Sequence, residues 1–109
     1  MSKYGNRFTG INKTFLLLYA KKHRIIDVIV NTFWTPEHPI LNEVNVYFVV
    51  RTEKHKTFLL EKDLEKCAEE YLAIISKDQI FDGLSYEFYA LSKEEIRKKY
   101  NGNYAYAIH

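Results

Sequence analysis

Residues 43–51 alternate: Val44, Val46, Phe48 and Val50 on one side, Glu43, Asn45, Tyr47 and Arg51 on the other. A period of two places the first set on one face of an extended chain, so this stretch has to be a strand with that face against a core. Such a strand needs neighbours. Residues 24–34 offer one, because they are rich in β-branched and aromatic side chains and set Ile26, Val28, Val30 and Trp34 on a common face. Pro36 and Pro39 close it, since neither nitrogen can donate to a ladder. Further strands are expected at 57–60, at 85–91, where Tyr86, Phe88 and Ala90 alternate with Ser85, Glu87 and Tyr89, and at 104–108 around Tyr104, Tyr106 and Ile108.

Three stretches follow a helical period instead. In residues 12–23 the apolar run 15–20 suits a buried helix or a buried strand equally. Asn12 as a cap, the helix formers Leu, Ala and Lys, and the cations at Lys21, Lys22 and Arg24 near the negative end of a helix favour the helix. In residues 62–76, Leu64, Cys67, Ala68, Tyr71, Leu72 and Ile75 fall three and four apart and form one apolar stripe. Ser92 followed by Glu95 is a capping box that opens a short helix, and Asn101-Gly102 stops it. The resulting order, α-β-β-β-α-β-α-β, predicts an α+β fold: two to three helices covering one face of a mostly antiparallel sheet of about five strands. A length of 109 residues fits a single domain. Residues 1–11, with Gly5, Gly10 and scattered polar groups, read as a loosely ordered basic arm.

The lone cysteine, Cys67, forbids an internal disulfide and points to a reducing, cytoplasmic setting; on its apolar stripe it reads as a packed thiol. The six-residue run 15–20 is too short for a signal peptide or a membrane span and is followed by Lys21, Lys22, His23 and Arg24, so no membrane association is expected. Glycine-rich phosphate loops and Gly-x-Ser-x-Gly elbows are missing from the sequence. The histidines 23, 38, 55 and 109 lack the short pairing of a zinc site, so neither a metal nor another cofactor is expected. Glu37-His38 could serve acid–base chemistry, but two polar residues between prolines are also what a surface turn contains, so no catalytic residue is assigned and enzymatic activity is not the favoured reading.

Charge is the most informative remaining feature. Residues 1–26 carry six basic and no acidic residues, residues 27–96 carry fourteen acidic against seven basic, and Arg97, Lys98 and Lys99 restore positive charge, leaving a net +2. Aromatics reach 16%. Together these favour a small non-enzymatic module that binds nucleic acid or a nucleoprotein complex, with Lys13, Lys21, Lys22, Arg24, Arg97, Lys98 and Lys99 on phosphates and Tyr100 and Tyr104 stacking on bases. The competing explanation is that the cations merely complement helix ends and the tyrosines pack on the sheet. An alternative function is a protein-binding inhibitor of the kind phages and mobile elements encode, docking through the acidic helix face of Glu61, Glu65 and Glu69. A weaker one is a metal-independent endoribonuclease using a histidine. Oligomeric state is not set by the sequence.

Overall fold

A computed structural model describes the backbone of residues 3–34, 41–81 and 83–102. Helix α1 spans Lys3–His23 and leads into strand β1 (Asp27–Trp34), which pairs antiparallel with strand β2 (Leu41–Val50). Helix α2 (Glu53–Phe58), a π-helical turn (Leu59–Asp63) and helix α3 (Leu64–Ile75) then run on as one rod. A 3₁₀ turn at Gln79–Phe81 precedes strand β3 (Ser85–Ser92), and helix α4 (Lys93–Tyr100) follows. The protein is an α+β domain with a mixed sheet ordered β1-β2-β3.

The alternation in 43–51 is realised as read: Val44, Val46, Phe48 and Val50 are fully buried beneath α1 and α3. Phe48 is the hub. Its ring stacks on Phe15 of α1 (5.1 Å) and on Phe88 of β3 (5.8 Å) and meets Tyr71 of α3 edge-on (6.0 Å). Much of the aromatic excess is therefore core, where ring pairs at this spacing add about 0.5–1.5 kcal/mol beyond area burial. The Tyr71 hydroxyl donates to Asn12 Oδ1 (2.5 Å), and the Asn12 amide reaches the Val28 carbonyl, so one polar tie joins α1, β1 and α3.

Four expectations need correction. The helix begins at Lys3, not at a cap on Asn12; Phe8 is buried against Phe81 (4.8 Å), and this contact makes residues 3–11 part of the helix rather than an arm. The segment 57–60 is helical, because Thr52 caps α2 by accepting from the His55 N–H (3.2 Å) and Glu53 sits in its first turn, complementing the helix dipole. With that strand gone, the rod carries the chain back along the sheet, and β3 joins β2 parallel instead of antiparallel. Helices also cover both faces: Val49 and Leu91, on the side away from α1, form a second cluster with Ile96 of α4. The described residues thus contain three strands, and the element order differs from that expected. The strand expected at 104–108 and the turn of Pro36 and Pro39 with His38 lie outside the described residues. Among the described residues, no helix is long and apolar enough to cross a membrane.

Candidate functional site

The end of α1 meets the rod at its π turn, and the seam between them opens into a cleft of about 690 Å³. Lys22, His23 and Arg24 form one wall, and Lys54, His55, Thr57, Phe58, Glu61 and Asp63 the other. Two local features of the sequence shape it. Arg24 takes a left-handed backbone (φ 60), and the Ile25 N–H returns to the Ala20 carbonyl (3.0 Å), closing α1 with a Schellman-type turn. That turn swings the Arg24 side chain to the His55 ring, where the guanidinium donates to Nε2 (3.0 Å). A guanidinium only donates, so the neutral His55 proton resides on Nδ1, which is buried and has no hydrogen-bond partner among the described residues.

The π turn is the second feature. Its wider winding takes up one extra residue, so that Leu59 stays on the same buried line as Cys67, Tyr71 and Ile75 while Asp63 turns toward α1. There His23, 6% exposed, is held between two carboxylates: Nδ1 lies 3.3 Å from Asp63 and Nε2 2.7 Å from Glu70. Carboxylates only accept, so a doubly protonated imidazole satisfies both contacts. Lys22 holds the other Glu70 oxygen (3.2 Å). Cys67 packs beside this pair, its sulfur and the nearest His23 and Glu70 atoms all within 4.8 Å of one another. Burial foremost, then the Glu70 and Asp63 charges, push the Cys67 thiol up to about 12, so it is protonated and unreactive at neutral pH.

Phe58 is the exposed aromatic of the cleft, with 57% of its surface open. An apolar ring among Lys22, Arg24 and Lys54, two histidines and two carboxylates can stack on a planar group, hold phosphate oxygens and accept from amino or hydroxyl groups at once.

Of the residues singled out in the sequence, Lys22, Arg24 and Glu61 come together in this cleft. Lys13 and Lys21 are exposed on α1, Glu65 and Glu69 are exposed on α3, and Arg97, Lys98 and Lys99 are exposed in the last turn of α4. That turn is not what ties α4 to the rod; Ser92, Glu94 and Glu95 at its opposite end bond to Glu53 and Lys56. The Tyr100 side chain and all of Tyr104 lie outside the described residues. Sequence reasoning missed Lys54, His55 and Phe58 because it read 57–60 as a strand and placed no helix immediately before it. The available signal was Thr52 followed by Glu53, a helix start that would have put Lys54 and Phe58 four apart on one face.

Comparison with protein-family models, with curated proteins and with solved structures finds no match in any of the three.

Proposed function

We propose that the protein is a small binding module for nucleic acid, taking an unpaired nucleotide of a single strand into the cleft between α1 and the α2–π–α3 rod. The observation that carries the reading is the placement of an exposed Phe58 among Lys22, Arg24, Lys54 and His55. In this arrangement a base stacks on Phe58, the cations hold the flanking phosphates, and Glu61 and Asp63 accept from base amino or sugar hydroxyl groups. The volume of about 690 Å³ lies within the ordinary range for small-molecule sites, roughly 300–1,000 Å³. The basic N-terminal segment identified from charge contributes Lys22 and Arg24 directly, and exposed Lys13 and Lys21 add to the field that draws a strand in.

Fluorescence anisotropy with a labelled single-stranded oligonucleotide, repeated over a salt series, tests this. If Lys22, Arg24 and Lys54 each neutralise one phosphate, affinity falls with a log–log slope of about −2 for a single strand. Charge reversal at Lys22 and Arg24 together flattens that slope. Binding and slope that survive the reversal unchanged contradict the reading, and metal-free cleavage of an RNA oligonucleotide in the same tube would shift it toward an endoribonuclease.

A second reading, a regulator that docks on another protein, draws on the outer face of α1. Leu17 is 86% exposed there, with Leu18 beside it and Lys13 and Lys21 flanking. Its distinguishing result is co-purification of a single protein that persists after nuclease treatment and is lost with Leu17→Glu.

A further inference from the structure

We propose that His23, Cys67 and Glu70 form a binding site for a borderline-soft divalent cation, zinc in the first place. Its three ligands are not among the residues that carry the nucleotide reading, and the inference does not depend on it, although Lys22 and Asp63 border both sites. The three residues come from two elements: His23 ends α1, and Cys67 and Glu70 sit three apart on α3, which puts them on one face of that helix. Their donor atoms, an imidazole nitrogen, a sulfur and a carboxylate oxygen, lie within 4.8 Å of one another. Around a tetrahedral zinc with ordinary bond lengths near 2.0 Å to nitrogen or oxygen and near 2.3 Å to sulfur, such donors stand roughly 3.3–3.6 Å apart. A side-chain adjustment of about an ångström brings the widest pair to that spacing.

The surroundings match what a metal needs beyond its ligands. Asp63 accepts from His23 Nδ1 (3.3 Å), the carboxylate–histidine relay that fixes the ring with Nε2 toward a metal. Lys22 holds the Glu70 oxygen that faces outward, leaving Oε1 directed at His23. His23 and Cys67 are buried, and His23 and Asp63 also line the cleft, which gives an ion its way in. Three protein donors leave the fourth tetrahedral position for water or a ligand from the cleft.

Charge closes as well. With a proton on each His23 nitrogen, the two contacts to Asp63 and Glu70 are both hydrogen bonds, Lys22 carries the second positive charge beside the two carboxylates, and Cys67 is a neutral thiol. Binding of M²⁺ releases one proton from His23 Nε2 and one from the Cys67 sulfur to solvent, and the ion takes up the bonds they leave. Two positive charges leave and two arrive, so the charge of the cluster is the same before and after. Histidine 23, cysteine 67 and glutamate 70 are 44 and three residues apart in sequence, which is why ligand spacing gave no hint of the site.

The full-length protein, stripped with chelator and kept reduced, is titrated with Co²⁺ as a spectroscopic stand-in for Zn²⁺. Because Cys67 is the lone cysteine, a near-ultraviolet thiolate-to-cobalt charge-transfer band reports this site and nothing else in the chain. The expected result is a band that saturates at one equivalent and disappears on adding zinc. Asp63→Asn, which keeps all three ligands, is expected to retain the band with affinity about 10- to 100-fold weaker. Absence of the band with the far-ultraviolet circular dichroism still native overturns the proposal. So does a band whose affinity is the same in Glu70→Gln and His23→Gln, since the thiol would then be binding cobalt without the site.

Discussion

Arg24 holds a backbone conformation that glycine adopts without steric cost, and that an L-residue with a Cβ adopts at a cost of roughly 1–2 kcal/mol. The closing turn of α1 needs the conformation but not the guanidinium, which instead reaches into the cleft to His55. Arg24→Gly therefore separates fold from function. Stability by chemical denaturation is expected to stay level or rise by up to about 1 kcal/mol, since relief of strain outweighs the added freedom of the unfolded chain, while oligonucleotide affinity falls. Gly10 is the opposite case. It lies inside α1 at an ordinary helical conformation, and a Cβ placed there meets nothing within 4 Å. Gly10→Ala is expected to stabilise the protein by about 0.5–1 kcal/mol in a denaturant melt, with no effect on nucleic-acid or cobalt binding. A loss of stability would mean that the outer face of α1 is closed in solution.

At the scale of elements, the joint between α2 and α4 decides how the rod is anchored to the sheet. Lys56 bonds both oxygens of Glu95 (2.8 Å each), Glu95 also accepts from the Ser92 N–H (3.2 Å), and Ser92 reaches across to Glu53 (2.9 Å). Burial works to raise the Glu95 carboxyl, but the hydrogen bonds from Lys56 and the Ser92 backbone together with the Lys56 charge hold it below the ordinary value. A carboxyl depressed in the folded state stabilises the fold above its unfolded pKa, near 4.3, and loses that contribution as pH falls through the folded value. Glu95→Gln is thus expected to destabilise by about 1–3 kcal/mol at pH 7, with the gap to the parent protein narrowing below about pH 4. A gap independent of pH would show that the charge is not what joins these elements.

The capping box at this joint was legible because it is local: Ser92 and Glu95 stand three apart and need no tertiary knowledge. The same holds for the alternating strands and for the stripe of α3. The rod's first half was not legible. Thr57, Phe58, Leu59 and Leu60 have strand-like composition, yet only Leu59 is buried, and a π turn shifts the phase of the helix so that no single period runs through 53–75. One misread segment then reversed the direction of β3, since an antiparallel return needs a hairpin and a parallel one needs a crossover.

Across the whole molecule, the division of charge along the chain is partly undone by folding. Lys22 pairs with Glu70, Arg7 with Asp78 and Lys56 with Glu95, so the acidic middle draws on several of the cations that sequence reasoning assigned to phosphate or left free. Two concentrations of cations persist among the described residues: Arg97, Lys98 and Lys99 in the last turn of α4, and the cleft, where Arg24 and Lys54 lie with Phe58. The cleft's components are 30 residues apart in sequence, and only the packing of α1 on the rod brings them together, which is why the basic segment was visible in the sequence and the aromatic platform was not. The most direct measurement compares Phe58→Ala with the parent protein for a single strand and for a duplex of the same sequence at one salt concentration. A stacked base contributes about 1–3 kcal/mol, so the variant is predicted to bind the single strand roughly 5- to 150-fold more weakly and the duplex unchanged. Equal affinity of variant and parent for the single strand would contradict the account.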